Sequence, residues 1–163
     1  MTADGWLATL QRLHEKARAG KLDPQEGREY RAGRDQLSRM MLAAQRLTTQ
    51  PSQRPREALR VACALPVDLH LGGPKPLRAF TIDVSRGGFA AVIALPLGLP
   101  EAFDFALRPG APDQIAGRCR LVSPPADRAK GRASFAFANL PPEDGERLDF
   151  LVIDSVLAQI RKK

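Results

Sequence analysis

The residues best suited to bind a ligand lie at the end of one predicted strand, within residues 80–89. Asp83 and Ser85 alternate along it, so their side chains fall on one face, roughly 6–7 Å apart. A carboxylate only accepts hydrogen bonds, whereas a hydroxyl donates or accepts. Gly87 and Gly88 follow, where the chain must turn or something must approach the backbone closely. We therefore expect a polar shelf, Asp83 with Ser85, that fits a donor edge such as N1–H and N2–H₂ of guanine.

A second motif lies upstream in a basic segment. Arg56 and Arg60 are four residues apart, so both side chains can turn to one side. Guanidinium groups clamp phosphate oxygens with paired hydrogen bonds, and they pair with or stack on guanine. Together the arginines and the polar shelf match a ligand with two phosphates and guanine bases. Each motif alone is weak evidence, because R-x-x-x-R is common in basic chains and D-x-S-x-x-G often marks only a strand–turn–strand.

These motifs need a scaffold that presents a strand end. Phe80, Ile82 and Val84 are expected in the core, with Thr81 facing outward beside Asp83. The pattern predicts an antiparallel β-barrel, because the chain is too short for two full sheets and closure removes exposed edges. Six short apolar segments separated by Gly and Pro supply its strands: 61–71, 77–85, 88–95, 101–108, 114–122 and 132–139.

Helices are expected at both ends of the barrel. Apolar spacings of three and four predict one helix over 2–19 and a second from Asp23-Pro24 to about Thr48, which together form a hairpin. A broad apolar stripe after Leu140 predicts a C-terminal helix. The second helix carries a heptad-like seam that favours a homo-oligomer. The seam consists of Tyr30, Gly33, Leu37, Met40, Ala44 and Leu47.

The expected organisation has three parts. Residues 1–50 form the helical hairpin, for oligomerisation or interaction; 51–60 form a linker that carries the arginines; and 61–163 form the barrel with its C-terminal helix. Pro51, Ser52 and Pro55 punctuate this linker, so we expect it to be flexible until a ligand orders it.

Composition and the isolated Cys and His side chains narrow the classes of function that the sequence allows. The net charge of +7 and the pI near 10.1 favour an anionic partner. Cys63 and Cys119 lie in strand-like segments without metal spacing, which predicts unpaired thiols in the cytoplasm and no metal. His14, expected on a polar helix face, and His70 have no evident nucleophile or paired carboxylate, so an enzyme is not expected. No signal peptide or membrane-spanning segment is visible.

The two motifs together resemble those of the PilZ domain, the bacterial receptor module for cyclic di-GMP. Arg56-x-x-x-Arg60 precedes the first strand, and Asp83-x-Ser85-x-x-Gly88 lies at the next turn, in the family's order and separation. The resemblance implies a six-stranded PilZ-type β-barrel and a non-enzymatic cyclic di-GMP receptor. Arg56 and Arg60 would contact phosphates and guanine faces, Asp83 and Ser85 would hydrogen-bond a guanine, and Gly88 would leave room for it.

The resemblance covers residues 54–163 and leaves the helical hairpin outside it. Arg54, Arg86 and Gly87 flank the motifs and are included as further contacts. Family members often bind an intercalated dimer of the nucleotide, so one molecule or two are expected. Ligand would order the linker and change the geometry that a partner protein reads.

Two other functions stay open at this point. A PilZ-like barrel can serve as a protein-interaction scaffold that does not bind nucleotide. The hairpin can also belong to a DNA-binding regulator, although acidic residues interleaved with its arginines are typical of a solvated charged face. The arginines of the second helix are Arg28, Arg31, Arg34 and Arg39.

Overall fold

The structure is a computed structural model, and it describes residues 2–50, 57–95, 99–123 and 125–163. The chain divides into two compact units, Met1–Leu59 with Val156–Lys163, and Arg60–Ser155. The division predicted at 1–50, 51–60 and 61–163 stays a prediction. The elements in chain order are α1 (Ala3–Arg18), α2 (Pro24–Leu47), β1 (Arg60–Ala62), β2 (Pro66–His70), β3 (Leu77–Ser85), β4 (Gly88–Val92), β5 (Phe103–Leu107), β6 (Ile115–Leu121), α3 (Pro125–Ala129), β7 (Arg132–Asn139) and α4 (Pro142–Arg161).

The second unit contains the predicted six-stranded antiparallel β-barrel. Around the barrel the order is β3, β2, β5, β6, β7 and β4, and β4 pairs with β3 to close it. β1 lies on the same edge of β3 as β2, because Arg60 is opposite Ser85 and Pro66 is opposite Phe80. β1 and β2 therefore act as one interrupted strand. Closure removes the free edges that an open sheet exposes.

Alternate residues of the strands fill the barrel with apolar side chains. Phe89 stacks on Phe135 with ring centres 5.0 Å apart, and Phe105 stacks on Phe137 at 5.1 Å. Burial of each phenylalanine side chain stabilises the folded state by about 1.5–3 kcal/mol.

Cys119 is buried in the same cluster, and this burial raises the pKa of its thiol to about 12. The thiol therefore stays protonated and unreactive at neutral pH.

A β-bulge changes the side-chain alternation of β3 from the predicted one. Ile82 is an extra residue relative to β4, and it reverses which positions face the core. Phe80 was predicted in the core but is 58% exposed. Thr81 was predicted to face outward but is buried, with its hydroxyl bonded to the neighbouring backbone. Beyond the bulge, Val84 is buried in the core cluster and Asp83 faces outward, as predicted.

The first unit contains the predicted helical hairpin. Asp23 caps α2 by accepting a hydrogen bond from the Glu26 N–H at 2.8 Å, and the Glu26 carboxylate accepts from the Asp23 N–H in return. Lys16 bonds both Glu26 oxygens at 2.5 Å, which holds the pKa of that carboxyl below its ordinary value. A Cβ added to Gly33 would lie 3.0 Å from Leu10 of α1, so the two helices approach closely there.

The seam predicted on α2 is divided into a buried half and an exposed half. Tyr30, Gly33 and Leu37 are buried. Met40 and Leu47 are 55% and 88% exposed. α1 has 16 residues and α2 has 24, so α2 continues beyond the length that α1 can cover.

His14 lies in the hairpin interior and not on the polar face that its position predicted. Its Nδ1 is 2.8 Å from the Tyr30 hydroxyl. The Arg34 guanidinium lies 5.9 Å from the Tyr30 ring centre, and Arg34 is also buried. One of the four arginines considered for DNA contact is therefore an interior side chain.

Candidate functional site

The two motifs meet on the outer face of β3, where this strand pairs with β1 and β4. Arg60 lies opposite Ser85 in the β1–β3 ladder, and Ser85 lies opposite Gly88 across the following turn. The Arg60 Nη1 donates a hydrogen bond to Asp83 Oδ1 at 3.0 Å. The fold therefore brings together Arg60, Asp83, Ser85 and Gly88, which are 28 positions apart at most in the chain.

Among the described residues, Asp83 is held between two arginines. Its Oδ1 accepts from Arg60, and its Oδ2 lies 3.9 Å from Arg132 Nη2 on β7. Asp83 therefore holds two guanidinium groups at one point of the barrel wall, where an anionic group could compete with the carboxylate for them. The sequence analysis did not select Arg132, because this residue comes near Asp83 only when the barrel closes and β7 pairs with β4.

Ser85 is built into the two-residue turn between β3 and β4. Its hydroxyl donates to the Gly88 carbonyl at 3.3 Å and accepts from the Gly87 N–H at 3.2 Å, and the residue is only 4% exposed. A hydroxyl has one proton and two lone pairs, so one acceptor position is left beyond these two bonds. Ser85 therefore orients the turn, and its remaining lone pair belongs to a side chain that is almost fully buried in the free protein.

Gly88 is required by the barrel itself. A Cβ at this position would lie 1.9 Å from the Phe135 carbonyl oxygen on β7. Neither Gly87 nor Gly88 has a positive φ, so left-handed backbone is not the reason for either glycine. A Cβ on Gly87 would meet only the Ser85 Oγ, at 3.8 Å, which is an ordinary contact.

Of the remaining arginines predicted as ligand contacts, the structure describes only Arg86. The exposed Arg86 side chain extends toward α4, where its Nη1 lies 3.6 Å from Asp149 Oδ2. It is therefore engaged away from Asp83 in the free protein. Arg54 and Arg56 lie outside the described residues.

Small side chains form the outer face beside the polar shelf. Asp83 lies opposite Ala90, and Ala90 lies opposite Ser134 on β7. Gly88 lies opposite Ala136 in the next outward row. Ala90 is fully buried in the free protein, so a planar base could lie close to this part of the backbone only after the side chains that cover Ala90 move aside.

A cleft of about 130 Å³ between α4 and the β5–β6 connection contains none of the motif residues. Its arginines are engaged by acids: Arg108 pairs with Asp113, and Arg147 Nη1 bonds Asp144 Oδ1 at 3.0 Å. Its charged groups are therefore already satisfied within the fold. This leaves the outer face of β3 as the stronger candidate for an anionic ligand.

Comparison with protein families gives a match to the PilZ domain over residues 53–154. The chain belongs to the PilZ domain family. Comparison with curated proteins found no match.

Solved PilZ structures share the fold of this PilZ chain. The PilZ domain of Escherichia coli YcgR with c-di-GMP has 21% identity and a TM-score of 0.53, covering 67% of this chain and 97% of that one. The YcgR complex with c-di-GMP from Escherichia coli has 22% identity and a TM-score of 0.51, covering 67% and 49%. The Bacillus subtilis inhibitor of motility, MotI/DgrA, has 21% identity and a TM-score of 0.50, covering 68% and 54%. This chain thus spans about half the length of those last two proteins.

In the part of this PilZ protein that the structure describes, no group of three or more His, Cys, Asp or Glu side chains is arranged to hold a metal ion. No described helix has both the length and the apolar character needed to cross a membrane.

Proposed function

We propose that this PilZ protein is a non-enzymatic receptor for cyclic di-GMP, which binds on the outer face where β1, β3 and β4 meet. The observation that carries the proposal is the 3.0 Å bond between Arg60 and Asp83, which joins the two motifs in one site. A family member of similar fold, the YcgR PilZ domain, has been solved with c-di-GMP.

The chemistry of binding is an exchange of partners. The Asp83 carboxylate takes the N1–H and N2–H₂ edge of one guanine, and Ser85 adds an acceptor at its remaining lone pair. Arg60, released from Asp83, takes a phosphate or the O6/N7 edge, where charge-assisted bonds are strong. Arg56 and Arg54 would add their guanidinium groups from the segment before β1. One nucleotide or an intercalated pair fits this chemistry.

The signal in this proposal is a change in the segment that joins the helical hairpin to β1. That segment carries Arg56, so a ligand held by the arginines restrains it. The restrained segment changes the surface that a partner protein reads. The two free cysteines are compatible with the cytoplasm, where we expect the receptor to act.

Calorimetric titration of the wild-type protein tests the proposed ligand, with GTP and cyclic di-AMP as controls. We expect saturable heat with cyclic di-GMP and much weaker binding of both controls. Adenine lacks the N1–H and N2–H₂ donors that Asp83 requires, and GTP lacks the second guanine of the cyclic dinucleotide. Absence of heat at high micromolar cyclic di-GMP, with no thermal shift, would favour the protein-binding scaffold instead.

We also propose that a second copy of the chain covers the exposed half of α2. Met40, Ala44 and Leu47 continue the seam at coiled-coil spacing beyond the length of α1. Light scattering should give a mass above that of a monomer at micromolar concentration, and the double variant Met40→Glu with Leu47→Glu should lower it. A monomeric wild-type protein would contradict this proposal.

DNA binding by α2 is the weaker alternative. Arg28, Arg31 and Arg39 are exposed, but Arg34 is buried against Tyr30. Binding of duplex DNA with a steep dependence on salt would be needed to support it.

A further inference from the structure

We propose that Arg132 is a third arginine of the ligand site and binds a phosphate of the nucleotide. This inference rests on the proposed function. In the free protein Arg132 lies against Asp83. When the guanine edge hydrogen-bonds to the Asp83 carboxylate, Arg132 is released from this contact. Arg132 belongs to neither sequence motif, so only the fold assigns it to the site.

The position of Arg132 supports this role. Its neighbour Ala133 is in the core cluster, so the Arg132 side chain faces outward from β7. The β7–β4–β3 pairing places β4 between Arg132 and Asp83. The guanidinium nevertheless reaches within 3.9 Å of Asp83 Oδ2, so it extends over the small side chains of β4. A ligand lying on that surface would meet it directly.

The contact between Arg132 and Asp83 is loose enough to be exchanged. At 3.9 Å it is longer than a charge-assisted hydrogen bond, and the Arg132 side chain is 52% exposed. The Asp83 side chain is 18% exposed, so the low strength of this contact follows from its length and from the exposure of Arg132. The other carboxylate oxygen is already bonded to Arg60 at 3.0 Å. Exchange of Asp83 for a phosphate therefore costs the fold little.

The charge of Arg132 suits the proposed ligand. Arg132 adds a guanidinium beside Asp83, at the surface proposed for the nucleotide. Cyclic di-GMP carries two phosphate charges, and a guanidinium within reach of the bound nucleotide gives one of them a charge-assisted partner.

The chain offers a matched control for Arg132. Arg118 is also on the barrel surface, 55% exposed, with its Nη1 3.8 Å from Asp104 Oδ1. It additionally donates to the Ala102 carbonyl at 3.2 Å, and neither of these two partners is a motif residue. Removal of Arg118 changes the net charge by the same amount at a different place.

The test compares Arg132→Ala with Arg118→Ala in calorimetric titrations with cyclic di-GMP. We expect Arg132→Ala to weaken affinity roughly tenfold or more and Arg118→Ala to leave it near wild type. Both variants should unfold at the wild-type temperature without ligand. The affinity of Arg132→Ala should also depend less on sodium chloride, because one charge contact with phosphate is gone.

The salt dependence separates direct contact from an effect through Asp83. A phosphate contact predicts that Arg132→Ala lowers the dependence of affinity on sodium chloride, whereas weakened affinity with an unchanged salt dependence would overturn the proposal. Wild-type affinity in Arg132→Ala would also overturn it and leave the cyclic di-GMP receptor standing. A wild-type protein that gives no heat would overturn both.

Discussion

Two aspartates on outward-facing strand positions of the barrel meet arginines in different ways. Asp68 on β2 faces Arg78 on β3, and the guanidinium makes two bonds to it, Nε to Oδ1 at 2.7 Å and Nη2 to Oδ2 at 3.0 Å. Asp83 on β3 divides its two oxygens between Arg60 and Arg132, at 3.0 and 3.9 Å. The first pair is a closed fork, and in the second one carboxylate is shared between two guanidinium groups.

This difference suggests different roles: the fork at Asp68 stabilises the fold, whereas the contacts of Asp83 can be exchanged for contacts to a ligand. The Arg78 bonds hold the pKa of Asp68 below its ordinary value and raise the pKa of Arg78, as expected for a satisfied pair. A ligand phosphate gains little at Arg78, because the fork already faces a carboxylate. Asp83 makes one contact to each arginine, and the contact to Arg132 is 3.9 Å long, so a phosphate can make bonds to Arg132 that Asp83 does not make.

The largest expected effect is on ligand affinity when Arg60 is removed. Arg60→Ala should weaken cyclic di-GMP binding by ~10–150-fold, because one charged hydrogen bond is worth about 1.5–3 kcal/mol. Arg60→Lys should also bind weakly, since an ammonium cannot form a planar fork. Calorimetry of these variants checks both expectations. Arg78→Ala is the control and should keep wild-type affinity; equal losses in Arg60→Ala and Arg78→Ala would abolish the distinction between the two pairs.

A second pair of substitutions tests whether a glycine of the motif is needed for barrel stability or only for ligand binding. Gly88→Ala should destabilise the barrel by about 1–3 kcal/mol, because its Cβ would overlap the Phe135 carbonyl and force β4 from β7. Gly87→Ala is the control and should cost much less, since its Cβ meets only ordinary contacts. Chemical denaturation of the free proteins measures both. Wild-type stability of Gly88→Ala would mean that the glycine serves the ligand alone.

The smallest expected effect is the acid dependence of the closed fork. Because the pKa of Asp68 lies below its ordinary 3.8, the pair stabilises the folded state at neutral pH. That stabilisation is lost as the pH falls below the ordinary value and through the lowered one. Thermal unfolding should therefore show Arg78→Ala less stable than wild type at pH 7, with the difference shrinking in acid. A difference independent of pH would contradict the role of this pair.

The sequence predicted the elements better than the orientation of individual side chains. Alternation and capping patterns located the barrel strands and the long helices, because apolar spacing follows strand and helix geometry. The exchange of Phe80 and Thr81 between core and surface was not predictable, since a bulge inserts one residue without a distinctive pattern. The short helix α3, with only five residues, also gave no periodic signal.

The candidate site shows the same limit. Arg60, Asp83 and Ser85 were selected because they lie in compact motifs whose chemistry can be read locally. Arg132 lies 49 positions after Asp83, and only pairing of β7 with β4 brings it near. The burial of His14 depended on the Tyr30 hydroxyl of the opposite helix, which helical periodicity does not reveal.

A crystal structure of the protein with cyclic di-GMP tests the central claim most directly, through the distance between Arg60 Nη1 and Asp83 Oδ1. We predict that this distance increases well beyond its present 3.0 Å, with a guanine edge on Asp83 and a phosphate or guanine on Arg60. A bound nucleotide that leaves the Arg60–Asp83 bond intact, or that lies away from β3, would contradict the account.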